Sequence, residues 1–219
     1  MLSPKLVAGS TVVSNQLIRQ SSPDIENFIV RDISAAIATA VDQAALFGAG
    51  SATVPKGIMS FSANGVGSYS YGLRSANQTF GGSATWASVL GFEKTLEDGR
   101  IFNDDNSFAY VSSSATRTRW QQIAKVATFP EFLWQQRDDE PDGSVNGRRA
   151  VSSAQITGDI VILGKFSEML IGSWLGVELN VNMHTRATQA ETVITATMLI
   201  DVGFRYASGF TASADSGAQ

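Results

Sequence analysis

The sequence predicts an α+β chain of two lobes, one built from both ends of the chain and the other inserted between them. Three observations carry this. A long helical stretch, Ser22–Phe47, lies near the start. A long β-branched and extended stretch, Thr192–Tyr206, lies near the end. Between them comes a compact alternation of shorter strand and helix signals. At about 1.5 Å per helical residue and 3.3 Å per strand residue, the two long stretches reach roughly 37 Å and 50 Å. The strand is therefore long enough to lie along the whole helix. The expected boundaries are 1–60 plus 187–219 for the first lobe and 61–186 for the second.

Taken in order, Lys5–Val13 reads as extended chain, with Val7, Val12 and Val13 as strand formers. Ser14–Gln20 suits a short helix before the Ser-Ser-Pro break. Ser22 and Pro23 then mark the start of the long helix as N-cap and first-turn proline, and Asp24 and Glu26 place negative charge at its N-terminus. Ile25, Ile29, Ile33, Ala36, Ile37, Ala40, Ala44 and Phe47 recur at steps of three and four, which gives one apolar face. Gly48 and Gly50 stop the helix and Pro55 prevents its resumption.

Residues 59–84 are rich in Gly, Ser and Asn and read as a loop or lobe boundary. Thr85 is placed to cap a second helix with Trp86, Val89, Leu90 and Leu96 on one face and Gly99 at its end. Phe108–Val111 is a strand, followed by Ser112–Ser114 and a third helix expected to run through Gln122 to about Val126. Phe132–Trp134 reads as a strand, and Asp138–Arg149 as a polar, exposed turn region. Ile160–Leu163 is a buried strand. Val177, Leu179 and Val181 alternate with Glu178 and Asn180, the period of a half-buried strand.

Composition narrows the class. The chain has 219 residues, 43% hydrophobic and only 16% charged, with 20 glycines and a net charge of −4. Such a length accommodates a proper core. Low charge suits surfaces that neighbours cover, and the negative balance argues against a dedicated nucleic-acid binder. Without cysteine there is no disulfide framework, thiol nucleophile or Cys-ligated metal. No apolar run approaches the roughly 20 residues of a membrane span, and no signal-peptide pattern opens the chain.

The helix end V-D-x-A-x-L-x-G-x-G with the following P-x-G-I, here Val41, Asp42, Ala44, Leu46, Gly48, Gly50, Pro55, Gly57 and Ile58, resembles the spine helix of tailed-phage major capsid proteins of the Hong Kong 97 type. The resemblance extends upstream through Ser14, Leu17, Gln20 and Ser21. Downstream it continues through Ala109, Val111 and Thr116, then Gly164-Lys165-Phe166-Ser167, then 192–212. Two departures stand out. Ala150 replaces the proline of the family's G-x-P-V, and Lys165 stands where relatives commonly have Asp.

The resemblance implies the phage major-capsid fold, with a spine helix against a long-stranded sheet as peripheral domain and an inserted axial domain. It implies a structural, non-catalytic subunit with no cofactor, assembling as a homo-oligomer of pentamers and hexamers around double-stranded DNA enclosed without sequence-specific binding. Scaffold and portal proteins are further expected partners. The virion capsid is the expected location, after synthesis in the host bacterial cytoplasm, with no membrane association. Asp138, Asp139, Glu140, Asp142, Asn146, Arg148 and Arg149 become candidates for subunit contacts around a symmetry axis. Asp42, Gly48, Gly50, Pro55 and Gly57 become the spine-helix and turn positions. The family's N-terminal arm and extended loop have no counterpart before Leu2–Ser14. That predicts a monomer or small ring at micromolar concentration and no closed shells.

Other chemistry is weighed against the same residues. His184 is the one histidine and would have to serve any hydrolase, yet no G-x-S-x-G elbow accompanies it. Gly48-Ala49-Gly50 follows a helix C-terminus, where the dipole repels phosphate. Asp138, Glu140, Asp142 and Gly143 match the opening of a calcium loop, but its twelfth position is Arg149. An encapsulin-like compartment shell shares the fold and is the alternative. It would be expected to show an apolar cargo-peptide groove formed partly by an N-terminal helix.

Overall fold

A computed structural model describes residues 2–20, 24–62, 80, 83–97, 107–126, 128–136, 142–206 and 209–215. Contacts divide the chain into a first unit, Met1–Gly57 with Ile171–Gly203, and a second, Ile58–Leu170 with Phe204–Gln219.

In the first unit β1 (Lys5–Ser14) leads through α1 (Asn15–Gln20) to α2 (Asp24–Phe47), a single unbroken helix. Its expected cap, Ser22, and Pro23 lie outside the described residues. The buried stripe of α2 follows steps of four, with Ile33 and Ile37 buried and Ile29 and Val41 partly so. Ala36, expected on that face, is exposed instead. The stripe packs on Val7 of β1 and on Ile194, Ala196 and Met198 of the long strand β11 (Glu191–Phe204). β1 pairs antiparallel with β11 over its whole length, from Lys5 opposite Ile200 to Ser14 opposite Glu191. Full pairing fixes which residues face the helix, because a one-residue slip would turn every side chain over.

Polar ties hold both ends of that pairing. Asn15 accepts a 2.6 Å hydrogen bond from the Thr192 hydroxyl and donates its backbone N–H to Ala190. At the other end Asp201, 4% exposed, accepts from the Ser3 N–H, the Val202 N–H and the Lys5 ammonium, the last at 2.9 Å. Burial alone would raise the Asp201 carboxyl. The two N–H donors and Lys5 outweigh it and hold the carboxyl below its ordinary 3.8. A lowered folded-state value means that the stabilisation is fully present above about pH 4 and is lost as pH falls through the folded value. Asp201→Asn is therefore expected to flatten the stability–pH curve of this unit on its acid side, as acid titrations followed by circular dichroism will measure.

The far side of β11 carries β10 (Glu178–Asn182), paired antiparallel with Val193–Thr197, and β9 (Met169–Ser173). All five residues of β10 are exposed. The half-buried strand expected from Val177, Leu179 and Val181 is thus an edge strand that α2 does not cover.

The second unit holds a six-stranded sheet. Its members are β2 (Phe108–Ser112), β5 (Gln135–Gln136), β6 (Gly143–Val145), β7 (Arg148–Ser152), β8 (Val161–Lys165) and β12 (Phe210–Ser213), in the order β12-β8-β2-β7-β6-β5. Only β2 and β7 run parallel. α3 (Ile58–Ser62), α4 (Trp86–Glu97) and α5 (Ser114–Trp120) accompany it, with a separate hairpin of β3 (Ala124–Val126) and β4 (Phe129–Phe132). The core gathers Val89, Phe92 and Leu96 of α4 with Tyr110, Trp120 and Leu163. Thr85 caps α4 as expected, its hydroxyl accepting from the Ser88 N–H while the Ser88 hydroxyl accepts from the Thr85 N–H. Leu90 lies outside the core and Phe92 takes its place, while Gly99 falls outside the described residues.

Three expectations change here. α5 ends at Trp120 rather than near Val126, because 124–126 pairs as a strand. Phe132–Trp134 is not one strand but the junction of β4 and β5. The lobe boundaries differ as well. Residues 171–186 belong with the first unit because β10 pairs with β11, and 204–219 with the second because β12 pairs with β8. Within that pairing Gly164 is a steric necessity: a Cβ there would lie 2.2 Å from the Phe210 ring, which Phe166 and Phe204 also flank edge-on.

Candidate subunit-contact site

The candidate contact residues fall at the β6–β7 hairpin of the second unit. Asp138, Asp139 and Glu140 lie outside the described residues. The remainder is not the open loop expected over 138–148, because 143–145 and 148–152 are paired strands joined by the two-residue turn Asn146-Gly147. Both turn residues have positive φ, 51° and 75°, as a tight hairpin of this handedness requires. Val145 and Ala150 point into the core. Gly143 has no room for a side chain, since a Cβ would meet the Trp134 indole at 2.0 Å.

The polar side chains divide by face. Asn146 and Arg148 turn towards Glu93 of α4, which is 5% exposed. The Glu93 carboxylate accepts from Asn146 Nδ2 at 2.6 Å and from the Tyr110 hydroxyl at 2.8 Å, and lies 3.6 Å from Arg148 Nε. The Arg148 guanidinium sits over the Phe108 ring. Burial above all, then the charge of Glu93 and its hydrogen bond, push the Tyr110 phenol well above its ordinary value against the opposing pull of Arg148. On the other side Arg149 donates from Nε to Asp142 at 2.9 Å and from Nη2 as well, and its side chain remains 65% exposed. Asn146 and Arg148 therefore anchor the hairpin to its own unit, whereas Asp142 and Arg149 present a paired charge to the outside.

Glu93 was not singled out by sequence reasoning. Its signal was present in its spacing: it stands four after Val89 and three before Leu96, an acid on the buried stripe of a helix.

The spine-turn residues come together in the first unit. Gly48 N–H donates to Ala44, Gly57 N–H to the Gly48 carbonyl and Gly50 N–H to Pro55, all between 2.9 and 3.0 Å. The chain after the helix thus folds back on the helix end, with Ala49 and Lys56 bridged. Gly50 has φ 72°. Asp42 is exposed on the last turns of α2.

Chemistry of other kinds finds little to work with among the described residues. No three of His, Asp and Glu gather as a metal-holding group there. Asp142, offered for calcium, is committed to Arg149, and Gly143 is in a strand. His184 is exposed, and its backbone N–H donates to Asn182. A trough of about 660 Å³ on the first unit's sheet is lined by Asn, Thr, Leu and Val side chains with Glu178 as its one ionisable group. Among the described residues no helix is long and apolar enough to cross a membrane.

The sequence profile of the phage capsid family matches residues 1–213. The chain belongs to the phage capsid family. Among curated proteins, this capsid-family chain is 25% identical over 210 residues to the major capsid protein of Halomonas phage phiHAP-1, covering 96% of its own length and 32% of that protein. It therefore spans about a third of that relative. Among solved structures, the capsid of a native GTA particle computed with C5 symmetry superposes with a TM-score of 0.75 at 15% identity, over 97% of this chain and 72% of that one. A structure of Microbacterium phage Oxtober96 gives 0.66 at 14% identity, with the same coverage. These likenesses establish the phage-capsid fold for the chain, with its spine helix on the long-stranded sheet.

Proposed function

We propose that the chain is a structural subunit of a phage or prophage capsid, which assembles with copies of itself into rings of five and six and so into an icosahedral shell around double-stranded DNA. The observation that carries this is the family match over residues 1–213, supported by a fold shared with assembled capsids. The first unit would serve as the peripheral domain and the second as the axial domain. In this reading the protein does no catalysis and takes no cofactor. Its location is the virion, after synthesis in the host cytoplasm, and DNA is held by enclosure. Scaffold and portal proteins would be its further partners.

The Asp142–Arg149 pair is the part of the axial hairpin suited to meet a neighbour. An exposed ion pair contributes little to the fold itself, up to about 1 kcal/mol. Arg149→Glu is therefore expected to leave the unfolding transition nearly unchanged. At a contact between copies, the neutral Asp142–Arg149 pair would become two carboxylates of the same chain, whose charge the neighbour would have to face and desolvate. Association would fall about tenfold or more, since 1.4 kcal/mol is a factor of ten. Chemical cross-linking of the purified protein at rising concentration supplies the test. A ladder of bands that stops at five or six, weakened by Arg149→Glu, is expected. A single band of 23.3 kDa at every concentration would contradict the reading.

A further inference from the structure

We infer that the open edge of β10 pairs with the β10 edge of a second copy, antiparallel and about a two-fold axis through Asn180. β10 is the outer strand of its sheet, so its outward N–H and C=O groups have no strand beside them among the described residues. Its two faces differ sharply. Leu179 and Val181 stand opposite Ala196 and Ile194, on the side of the sheet that α2 covers. They are not among the residues packed against the helix, and they remain 43% and 54% exposed. Val177 and Met183 extend the same stripe at 41% and 62%. Glu178, Asn180 and Asn182 occupy the opposite face.

The sequence of this strand is complementary to itself in one register. Antiparallel pairing centred on Asn180 sets Leu179 against Val181 of the second copy, and Val177 against Met183, so the two apolar stripes join into one. On the polar face Asn180 meets Asn180, and Glu178 meets Asn182. Like charges are never opposed. Asn182 uses its Oδ1 to accept from the His184 and Thr185 N–H groups, which leaves its NH₂ to donate to Glu178 of the second copy. Among the described residues Glu178 has no ion-pair partner of its own. Shifting the register by two residues one way sets Glu178 against Asn180 and Leu179 opposite itself, and carries Met183 past the end of the second strand. Shifting it the other way carries Glu178 past that end, opposite His184, and takes Val177 off the apolar stripe. An isologous contact of this kind closes on itself and cannot propagate along the edge. An edge strand with two exposed apolar residues and two more flanking it would otherwise be an aggregation site.

This pairing deepens the assembly reading by naming one of its contacts, and its test does not depend on ring formation. The chain has no cysteine. In Asn180→Cys the two introduced thiols would lie directly opposite, with Cβ atoms about 4.5–5.5 Å apart, close to disulfide range. Mild oxidation is expected to give a covalent dimer in high yield. Asn182→Cys alone would put its thiols about 13 Å apart and stay monomeric. The double variant Glu178→Cys, Asn182→Cys would link again. No covalent dimer from Asn180→Cys, or equal linking of all single-cysteine variants, overturns the pairing. A ladder reaching five or six without the Asn180 link rejects this contact and leaves the assembly reading standing. An Asn180 link with a ladder that stops at two supports the contact and rejects the rings.

Discussion

Replacing Gly48 by alanine is expected to destabilise the unit that carries the spine helix by about 3 kcal/mol, at the upper end of what overpacking costs. A Cβ at Gly48 would lie 2.3 Å from the Pro55 carbonyl oxygen and 2.4 Å from that of Ala44. Both are backbone atoms in hydrogen bonds, so neither can rotate away as a side-chain tip would. To make room, the return segment must leave the helix end, breaking the bonds from Gly57 N–H to Gly48 and from Gly50 N–H to Pro55. For a chain of this size that corresponds to a drop of about 10 °C in Tm. Gly147→Ala supplies the comparison: no atom lies within 4 Å of its Cβ, and only the positive φ of 75° resists the change. That substitution is expected to cost about 1 kcal/mol. Denaturant titrations of the two variants will measure both. Equal effects would mean that close approach is not what requires glycine at the end of the spine helix.

Glu93→Ala is expected to cost the second unit about 3–4 kcal/mol, the range for removing one partner of a buried charged group. The carboxylate is the common acceptor for Tyr110 and Asn146 and the counter-charge for Arg148. Its loss strands a buried phenol and removes the clamp on the hairpin turn. Tyr110→Phe removes a single hydrogen bond and should cost about 1 kcal/mol. The phenol adds a spectroscopic check. Tyr110 should keep its proton above pH 10, where a solvated tyrosine is half ionised. Glu93→Gln removes the charge and should bring Tyr110 ionisation to lower pH, as phenolate absorbance will show. An unchanged absorbance titration together with an unchanged unfolding midpoint would place Glu93 outside the network.

What the sequence made legible was the first unit's spine. The end of α2 and the glycine-clamped turn follow from local rules, and a 24-residue helix with a four-step apolar stripe has no competing pattern. That both ends of the chain build one lobe was implied by the lengths of the helix and the last strand, whereas the full-length pairing of β1 with β11 carried no signal of its own. Less visible was anything decided by which strand lies next to which. Val177, Leu179 and Val181 alternate as a half-buried strand should, but alternation does not reveal that α2 packs on β1 and β11 and leaves β10 exposed. The 138–148 stretch is dense in turn formers, yet Val145 and Ala150 are core residues five apart across a two-residue turn, which composition alone does not separate from a loop. Phe210–Ser213 carried no signal that it would join β8 rather than continue β11. That partner choice is what moved the unit boundary. At the contact site, Asn146 and Arg148 read as surface residues because their acceptor, Glu93, lies more than fifty positions away in sequence.

The most direct test of a shell-forming subunit is sedimentation velocity of the purified chain at rising concentration, with electron microscopy of the largest species. The expected result is a monomer that gives way, as concentration rises, to discrete rings of five or six copies with uniform outlines. A single 23.3 kDa species that never associates would contradict it.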